Sequence, residues 1–378
     1  MEFRDLGAQY LALRNDIDVA ISQAIAKGRF IGGAPVSMLE RELADYVGVK
    51  HCISCGNGTD ALQLALMAWG IGRGDAVIVP DFTFFSSGEV VSAVGATPVF
   101  VDILEDTFNI DPAQISSACA LARESGLDPK AVVAVDLFGQ PADYPAIREI
   151  CDEEGLLLLE DGAQGFGGSI GEKRACSFGD ISTTSFFPAK PLGCYGDGGA
   201  VFTDDDDWAA LIRSYAVHGK GTMKYDNVRV GMNSRLDTIQ AAILQVKLGA
   251  FIEHELEDVN ERAAWYAELL DEATLKIPSI REGYRSSWAQ YTVVCPDGFD
   301  RDALQAALKS EGVPTNVYYP KPMHEQLAFE GGCLSLPCPV TERLCERVLS
   351  LPMGPYLCRE DMEAVCHGIE RSLCRIQQ

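Results

Sequence analysis

Residues 131–138 read AVVAVDLF and residues 156–161 read LLLLED, two nearly continuous apolar runs separated by a helical stretch. Runs of this length without polar alternation predict strands that are buried on both faces, as in mostly parallel sheets covered by helices. The alternation continues from about residue 50 to 204 and predicts seven strands, at 52–54, 76–79, 98–103, 131–138, 156–160, 181–187 and 200–203. We therefore expect an α/β fold with a mostly parallel, seven-stranded sheet in its large domain.

The segments outside this sheet predict helices and a second domain. Helices are expected at 8–27, where Gly28 ends the first, and at 37–47. An apolar face with spacings of 3, 4 and 3 residues runs from Leu236 to Val246 and begins a long helix toward Leu270. A strand at 289–294, a helix at 301–310, a strand near 315–318 and terminal helices would follow. We place a large domain at 1–245 and a small C-terminal α+β domain at 246–378.

Composition excludes several classes of protein. The 378 residues carry 31 Lys and Arg against 55 Asp and Glu, a formal net charge of -24, which disfavours binding to nucleic acid and to anionic membranes. The sequence lacks an apolar run long enough to span a bilayer and a signal-peptide pattern at its start, so we expect a cytoplasmic protein. The 13 cysteines are expected to be reduced thiols, and no metal site is predicted because the pair Cys52 and Cys55 has no second CxxC.

A glycine-rich turn at residues 55–62, CGNGTDAL, follows the first predicted strand. Free amide groups at the start of the next helix suit a phosphate, which would place Thr59 and Asp60 at the anion. The alternative is that Asn57, Thr59 or Asp60 is only an N-cap. The turn is neither a GxGxxG nor a P-loop motif, so it gives no support to nicotinamide or nucleoside triphosphate binding.

Two further side chains lie where ligands of α/β proteins bind. Asp161 comes at the carboxyl end of a buried strand, and the alternative is a structural acid that accepts bonds from the next loop. Lys190 lies between two prolines in TSFFPAKPLGCYGDGG (184–199), and partial burial there would lower its pKa toward the nucleophilic range. We interpret it as a Schiff-base lysine, against the alternative of a loop lysine whose amine reaches solvent.

A basic segment interrupts this acidic chain. It could bind an anionic group such as a phosphate or a nucleotide diphosphate, or be a solvated loop. Asp226 is the only acid among its cations, which are Arg213, Lys220, Lys224, Arg229 and Arg235.

Four motifs occur together in order: GNGTDAL, DGAQGFG, SFFPAKPLG with GDGGA, and GMNSRLDTIQAAIL. Together they resemble the sugar-nucleotide aminotransferases of the DegT/DnrJ/EryC1/StrS family, over nearly the whole chain from FRDL to YYPKPMHEQ. The resemblance implies a fold-type I transferase that uses pyridoxal phosphate, with pyridoxamine phosphate as an intermediate form. It also implies a nucleotide-sugar substrate, L-glutamate as amino donor, a homodimer with shared active sites, and synthesis of surface polysaccharide precursors.

The resemblance also implies a role for each matching residue. Lys190 would form the Schiff base and move protons, while Asp161 would pair with the pyridine nitrogen. The other implied contacts are Gln164 with the cofactor hydroxyl, Thr59 and Ser185 with its phosphate, Phe84 stacked on its ring, Asn233 with the phosphate of the neighbouring subunit, and Arg235 and Tyr319 with the substrate. An arginine suits a carboxylate because its fork binds both oxygens.

The segments SFFPAKPLGCYGDGGA and NSRLDTIQAAIL are most similar to those of enzymes that aminate C3 of a UDP-2-acetamido-3-keto-hexuronic acid. Those enzymes read His-Tyr-Pro where this chain reads Tyr318-Tyr319-Pro320, so a carboxylate-binding histidine is replaced by Tyr318. His324 would compensate for it, or would support the loop.

Three alternatives stay open. One is amination at C3 or C4 of another UDP- or dTDP-keto sugar. The second is the sugar 3-dehydrase branch, against which Lys190 speaks because those relatives carry histidine there. The third, of another class, is a non-catalytic regulatory protein that binds pyridoxal phosphate.

Overall fold

The computed structural model describes residues 1–223, 225–270 and 274–376, with side chains to residue 373. Its strands are β1 (His51–Cys55), β2 (Asp75–Pro80), β3 (Thr97–Val101), β4 (Asp128–Val135), β5 (Leu157–Asp161), β6 (Ser169–Ile170), β7 (Lys173–Arg174), β8 (Ile181–Ser185), β9 (Gly199–Thr203), β10 (Tyr284–Arg285), β11 (Tyr291–Val294), β12 (Leu334–Ser335) and β13 (Val348–Leu351). Its α-helices are α1 (Leu6–Lys27), α2 (Ala34–Val47), α3 (Gly58–Ala68), α4 (Ser86–Ala93), α5 (Ile115–Glu124), α6 (Tyr144–Glu154), α7 (Asp206–Tyr215), α8 (Thr238–Ala250), α9 (Leu256–Leu269), α10 (Arg301–Ser310), α11 (Pro339–Arg347) and α12 (Arg359–Ile376).

The central sheet has eight strands within the described chain, in the order β1-β9-β8-β5-β4-β2-β3-β12. The run from β8 to β12 is parallel, whereas β9 pairs antiparallel with both β1 and β8. All seven predicted strands are confirmed. The eighth, β12, was missed because two residues after a glycine-rich loop give no strand pattern, and only their pairing with Val99 and Phe100 of β3 defines them.

The predicted N-terminal helices are confirmed, with starts a few residues earlier than expected. Asp5 caps α1 by accepting a 2.7 Å hydrogen bond from the Ala8 amide, and Gly28 ends it in the left-handed conformation at φ 62°. The predicted long helix after residue 236 is also confirmed. It runs as α8, a π-helical turn at Phe251–Glu255, and α9.

The C-terminal part differs from the prediction in one strand. β11 and α10 are confirmed, but the strand expected near 315–318 was wrong, because this segment forms a single bridge between Asn316 and Ser350. Pro314 and Pro320 flank the segment and have no N–H to donate to a ladder. The partner of β11 is instead β13, in an antiparallel two-stranded sheet.

Separate apolar clusters fill the space around the sheets. One C-terminal cluster includes Tyr266, Tyr291 and Leu349, whereas Met323 and Phe329 pack into the cluster of the large sheet. The C-terminal segment therefore contributes both to its own core and to the large one. The domain boundary at 245 and 246 stays a prediction.

The described cysteines are free thiols, and both Cys52 and Cys55 are buried. Among the described helices, none is long and apolar enough to cross a bilayer.

Leu159 tests the central role of β5, since its side chain is fully buried in the middle of the sheet. We expect Leu159→Ala to lower the free energy of unfolding by about 2–5 kcal/mol, because it removes apolar contacts and leaves a cavity. Urea denaturation followed by circular dichroism measures this. Leu11→Ala on the exposed face of α1 is the matched control, and an equal loss in both variants would contradict the assignment.

Candidate active site

An aspartate stands at or directly after the carboxyl end of four neighbouring parallel strands. Asp81 follows β2, Asp102 follows β3, Asp136 follows β4, and Asp161 is the last residue of β5. All four side chains are buried. Because parallel strands end at the same edge of a sheet, this edge collects four carboxyl groups in the crevice where ligands of α/β folds bind.

Asp161 is only 5% exposed and has two hydrogen-bond donors. Ser87 donates to its Oδ2 at 2.8 Å and the Ala163 amide to its Oδ1 at 3.2 Å. Burial raises the pKa of Asp161, while the Ser87 bond and the charge of Lys190 oppose that rise. A buried carboxylate in this position is stabilised by a cationic partner.

Lys190 lies on the loop after β8, where its amide donates to the carbonyl of Phe187 at 2.8 Å. The side chain is half-buried. Burial lowers the pKa of the Lys190 amine, the charge of Asp161 raises it, and the charge of Arg4 lowers it further. A lowered pKa increases the fraction of neutral amine, the form that attacks a carbonyl.

A wall of aromatic side chains lies beside these two groups. Gln164 donates to the Tyr319 hydroxyl at 3.1 Å and accepts from the Phe138 amide at 2.7 Å, which fixes its orientation. The Phe84 ring is 54% exposed and lies 6.3 Å, centroid to centroid, from the Tyr319 ring. Phe84 is therefore an aromatic surface in an open position, which is available to a flat ligand.

The start of α3 forms a small cradle. Asn57 is its N-cap and accepts a 2.8 Å bond from the Asp60 amide, and the Thr59 hydroxyl lies 2.7 Å from that of Ser86. A Cβ added to Gly58 would lie 2.7 Å from the Cβ of Ser185, so a larger side chain would collide there. The arrangement brings hydroxyls from three elements to a helix N-terminus, where an anion is favoured.

Asn233 and Arg235 flank Ser234, whose hydroxyl accepts a 2.9 Å hydrogen bond from the Gly56 amide. Both are exposed, and Arg235 donates a hydrogen bond to Asn233 Oδ1. In the described chain, no hydrogen bond connects either side chain to Lys190 or Asp161.

Two arginines of the basic segment are engaged by neighbouring side chains. Arg213 bonds to Glu40 at 3.0 Å, and Arg229 donates to the Ser214 hydroxyl at 2.5 Å. Lys224 lies outside the described residues. Anion binding by this segment stays a prediction.

Tyr318 and His324 line the C-terminal side of the crevice. The half-buried Tyr318 ring contacts the rings of Phe3 and Tyr319, at 6.2 and 5.8 Å. Asp81 accepts from both the His324 amide, at 2.8 Å, and its ring Nδ1, at 2.6 Å. His324 therefore connects the loop after Tyr319 to the end of β2. This contact is of the kind expected if His324 supports the loop.

Asp81, His324 and Cys338 together could also ligate a metal ion, since their ligand atoms all lie within 4.8 Å of one another. The mutual hydrogen bonds of Asp81 and His324 already satisfy these groups. The prediction that no metal is used stays a prediction.

A second pair of buried acids lies behind Asp161. Glu160 accepts hydrogen bonds from the Ser182 hydroxyl and from the amides of Cys176, Phe178 and Gly179. Asp136 accepts from the Tyr144 hydroxyl at 2.7 Å, but its Oδ2 has no partner in the described structure. Burial, and then the charge of Glu160, raise the pKa of Asp136 well above its usual range. The four donors favour the charged form of Glu160, whereas burial and the unpaired Oδ2 favour the protonated form of Asp136.

Sequence reasoning missed Ser87, Asp81 and the pair of Asp136 and Glu160. DFTFFSS offers two serines, but only the fold shows that Ser87 reaches Asp161 across 74 positions. For Asp81, the position after a buried strand was a usable signal, whereas Asp136 fell inside the strand predicted at 131–138.

These residues fit pyridoxal phosphate. A half-buried lysine amine, a buried carboxylate, an open aromatic face and a hydroxyl-rich helix start are the groups that its aldehyde, ring nitrogen, ring face and phosphate each require. The sheet order and this site define the class: a fold-type I enzyme that depends on pyridoxal phosphate.

The chain belongs to the DegT/DnrJ/EryC1/StrS aminotransferase family, whose family model matches residues 12–370. It is 45% identical to the UDP-2-acetamido-2-deoxy-3-oxo-D-glucuronate aminotransferase of Pseudomonas aeruginosa, with 98% of this chain and 99% of that protein covered. It is 42% identical to the pleiotropic regulatory protein of Geobacillus stearothermophilus, over 97% and 96% of the two chains. The crystal structure of a family aminotransferase from Brucella abortus matches with a TM-score of 0.94 and 47% identity, over 98% and 99%. The chain is thus an aminotransferase whose cofactor is pyridoxal phosphate.

The proton on Asp136 has a consequence for stability. We expect the folded chain to keep at Asp136 a proton that the unfolded chain releases at about pH 4. Between the pKa of Asp136 in the unfolded chain and its raised pKa in the folded chain, we expect this carboxyl group to lower the free energy of unfolding by about 1.4 kcal/mol for each pH unit of increase. Asp136→Asn should remove that fall, as measured by urea denaturation between pH 5 and 8.

The control is Asp207→Asn on the exposed first turn of α7. It should keep the wild-type dependence on pH. A wild-type slope in Asp136→Asn would show that the group does not hold a proton.

Proposed function

We propose that this enzyme transfers the amino group of L-glutamate to C3 of a UDP-2-acetamido-2-deoxy-3-oxo-hexuronic acid. The reaction would take place in the cytoplasm and supply precursors of a surface polysaccharide, in a homodimer with shared active sites. The observation that carries the transferase chemistry is the arrangement of Lys190 with buried Asp161 at the carboxyl edge of the sheet.

Each residue of this arrangement has a distinct task in the proposal. The Lys190 amine, whose pKa is lowered by burial, accepts a proton from the substrate carbon and returns it on the other side of the transfer. The carboxylate of Asp161 stabilises a positive charge beside it in a water-poor site, because a buried carboxylate without a cationic partner is unfavourable. Ser87 and the Ala163 amide keep the carboxylate oriented.

When bound, pyridoxal phosphate supplies the electron sink that stabilises the charge left as that proton departs. Asp161 and Gln164 would hold its ring, Phe84 would cover one face, and Thr59, Asp60 and Ser185 at the start of α3 would hold its phosphate. The amino donor and the keto sugar would use the same Lys190 in turn, which is a ping-pong sequence.

The sugar assignment rests on the 45% identical relative from Pseudomonas aeruginosa, whose name gives a 3-oxo-glucuronate as its substrate. Arg235 and Tyr319 would contact the substrate in this proposal, together with Tyr318 and His324. The Tyr318 hydroxyl is able to donate a hydrogen bond but carries no positive charge, and His324 is already bound to Asp81. Other UDP- or dTDP-keto sugars therefore stay as alternatives that the substrate test must separate.

The proposed dimer is supported by polar and apolar side chains that a single chain leaves exposed. Asn233 and Arg235 are exposed and bind each other rather than the Lys190 group. The neighbouring loop exposes large apolar side chains, among them Met223 and Val230. Exposed apolar surface beside the exposed pair of Asn233 and Arg235 favours contact with a second copy of the chain. In such a dimer, Asn233 of one copy would reach the cofactor phosphate of the other.

A regulatory role without catalysis is the alternative of another class. It is raised by the name of the relative from Geobacillus stearothermophilus, a regulatory protein. The retained Lys190 and Asp161 favour catalysis, since binding alone needs no amine of lowered pKa.

The first test follows the visible absorption of the enzyme loaded with pyridoxal phosphate. We expect L-glutamate to bleach the band of the lysine-bound cofactor and UDP-2-acetamido-3-oxo-glucuronic acid to restore it. Lys190→Ala should lower turnover by at least about 10³-fold, because it removes the nucleophile and the proton carrier. Lys130→Ala, at an exposed lysine paired with Asp128, is the control and should match the wild type.

The neutral sugar UDP-2-acetamido-3-oxo-glucose differs from the proposed substrate only at C6. Equal rates with both sugars would contradict the uronic acid assignment and leave the aminotransferase intact. Cofactor binding without any bleaching by amino donors would instead support the regulatory alternative.

The second test addresses the phosphate cradle. Gly58→Ala places a methyl group 2.7 Å from the Cβ of Ser185, so we expect at least about tenfold weaker binding of pyridoxal phosphate in an absorbance titration. Gly249→Ala on the exposed side of α8 meets nothing within 4 Å and should bind the cofactor as the wild type does. Unchanged affinity in Gly58→Ala would place the phosphate elsewhere.

A further inference from the structure

The segment before α1 passes directly behind the active-site walls. Phe3 accepts a 3.0 Å hydrogen bond from the Met353 amide through its carbonyl, and its ring contacts Tyr318. Asp5 is held as the cap of α1. The residue between them, Arg4, is therefore fixed from both sides.

Arg4 reaches the loop that carries the reactive lysine. Its Nη2 donates to the carbonyl oxygen of Pro191, the residue after Lys190, at 3.5 Å. The side chain is half-buried. Within the described part of the chain, no carboxylate oxygen lies within 4.0 Å of its guanidinium, so its charge is not neutralised by an ion pair.

The nearest acid on the other side is already engaged. Glu255, in the π-helical turn, is 3% exposed and accepts from Gln9 at 2.9 and 3.0 Å and from the Tyr356 hydroxyl at 2.7 Å. Its charge acts on Arg4 from a distance and opposes the effect of burial, which lowers the pKa of Arg4 to about 10. Arg4 thus remains charged at neutral pH.

A further buried cation, Lys247, responds to the charge of Arg4. Lys247 on α8 is 1% exposed, with its amine 5.1 Å from the centre of the Tyr195 ring. Burial first, and then the charge of Arg4, lower the pKa of Lys247 to about 8. Among the described residues, the charges that act on Lys190 are those of Asp161 at the sheet and of Arg4 in the N-terminal segment.

We propose that Arg4 is a positioning residue for Lys190, which holds the Pro191 carbonyl and places a fixed positive charge beside the lysine so that its amine stays neutral. This inference rests on the proposed function, in which Lys190 is the reactive amine. A nearby like charge disfavours the ammonium form, whereas the charge of Asp161 favours it. Arg4 therefore offsets Asp161, and the neutral amine is the form that attacks carbonyls and accepts protons.

The test measures protonation of Lys190 directly. The cofactor-free full-length chain is labelled briefly with acetic anhydride between pH 6 and 11, and mass spectrometry gives the modified fraction of Lys190 at each pH. Arg4→Gln keeps a hydrogen-bond donor without the charge, and Arg4→Lys keeps the charge without the fork. Arg14→Gln, at an exposed arginine of α1, is the control.

We expect the labelling midpoint of Lys190 to rise by roughly one pH unit in Arg4→Gln, which is about tenfold less neutral amine below the midpoint. Arg4→Lys and Arg14→Gln should keep the wild-type midpoint. In the loaded enzyme, the pH profile of kcat for Arg4→Gln should move in the same direction. Arg4→Met serves as a second neutral variant if Arg4→Gln does not fold.

An unchanged midpoint in folded Arg4→Gln or Arg4→Met would overturn the proposal. So would an equal rise in Arg4→Lys, because the contact rather than the charge would then be responsible. Borohydride reduction of the loaded wild type separates this failure from that of the proposed function. Cofactor attached to Lys190 leaves the function standing, whereas its absence there refutes the function as well.

Discussion

The burial of Asp161 at the end of β5 is the constraint on which the rest of the site depends. A carboxylate that is 5% exposed needs a hydrogen-bond donor and a positive charge, and the fold supplies Ser87 from α4 and Lys190 from the loop after β8. Burial lowers the pKa of Lys190, and the charge of Asp161 opposes that shift. The strand end thus acts on the chemical state of both groups.

The other strand-end aspartates organise the C-terminal part of the chain. Asp81 binds His324, and Asp102 accepts 2.8 Å bonds from the amides of Val340 and Thr341 at the start of α11. These contacts connect segments more than 230 positions apart in sequence to the edge of the large sheet. The aromatic wall at Tyr319 is therefore placed by the sheet that carries Asp161.

Much of the fold was predictable because its strands are buried on both faces. Such strands appear as uninterrupted apolar runs, and all seven were found from them. β12 was not found, because pairing at the edge of a sheet depends on a distant partner and not on the local pattern. The strand predicted near 315–318 was wrong, because this segment between two prolines forms only a single bridge. Lys190 and Asp161 were proposed as site residues from their place relative to those runs, and Gln164 from the family motifs.

The sequence by itself determined the α/β class, seven strands of the large sheet and the candidate reactive groups, since local patterns and motif order encode them. Only the tertiary structure decided which group acts on which: Ser87 on Asp161, Asp81 on His324, and Arg4 on the Lys190 loop. The reason is physical. Burial and Coulomb interaction depend on distance in space, and these partners are separated by 74, 243 and 187 positions along the chain.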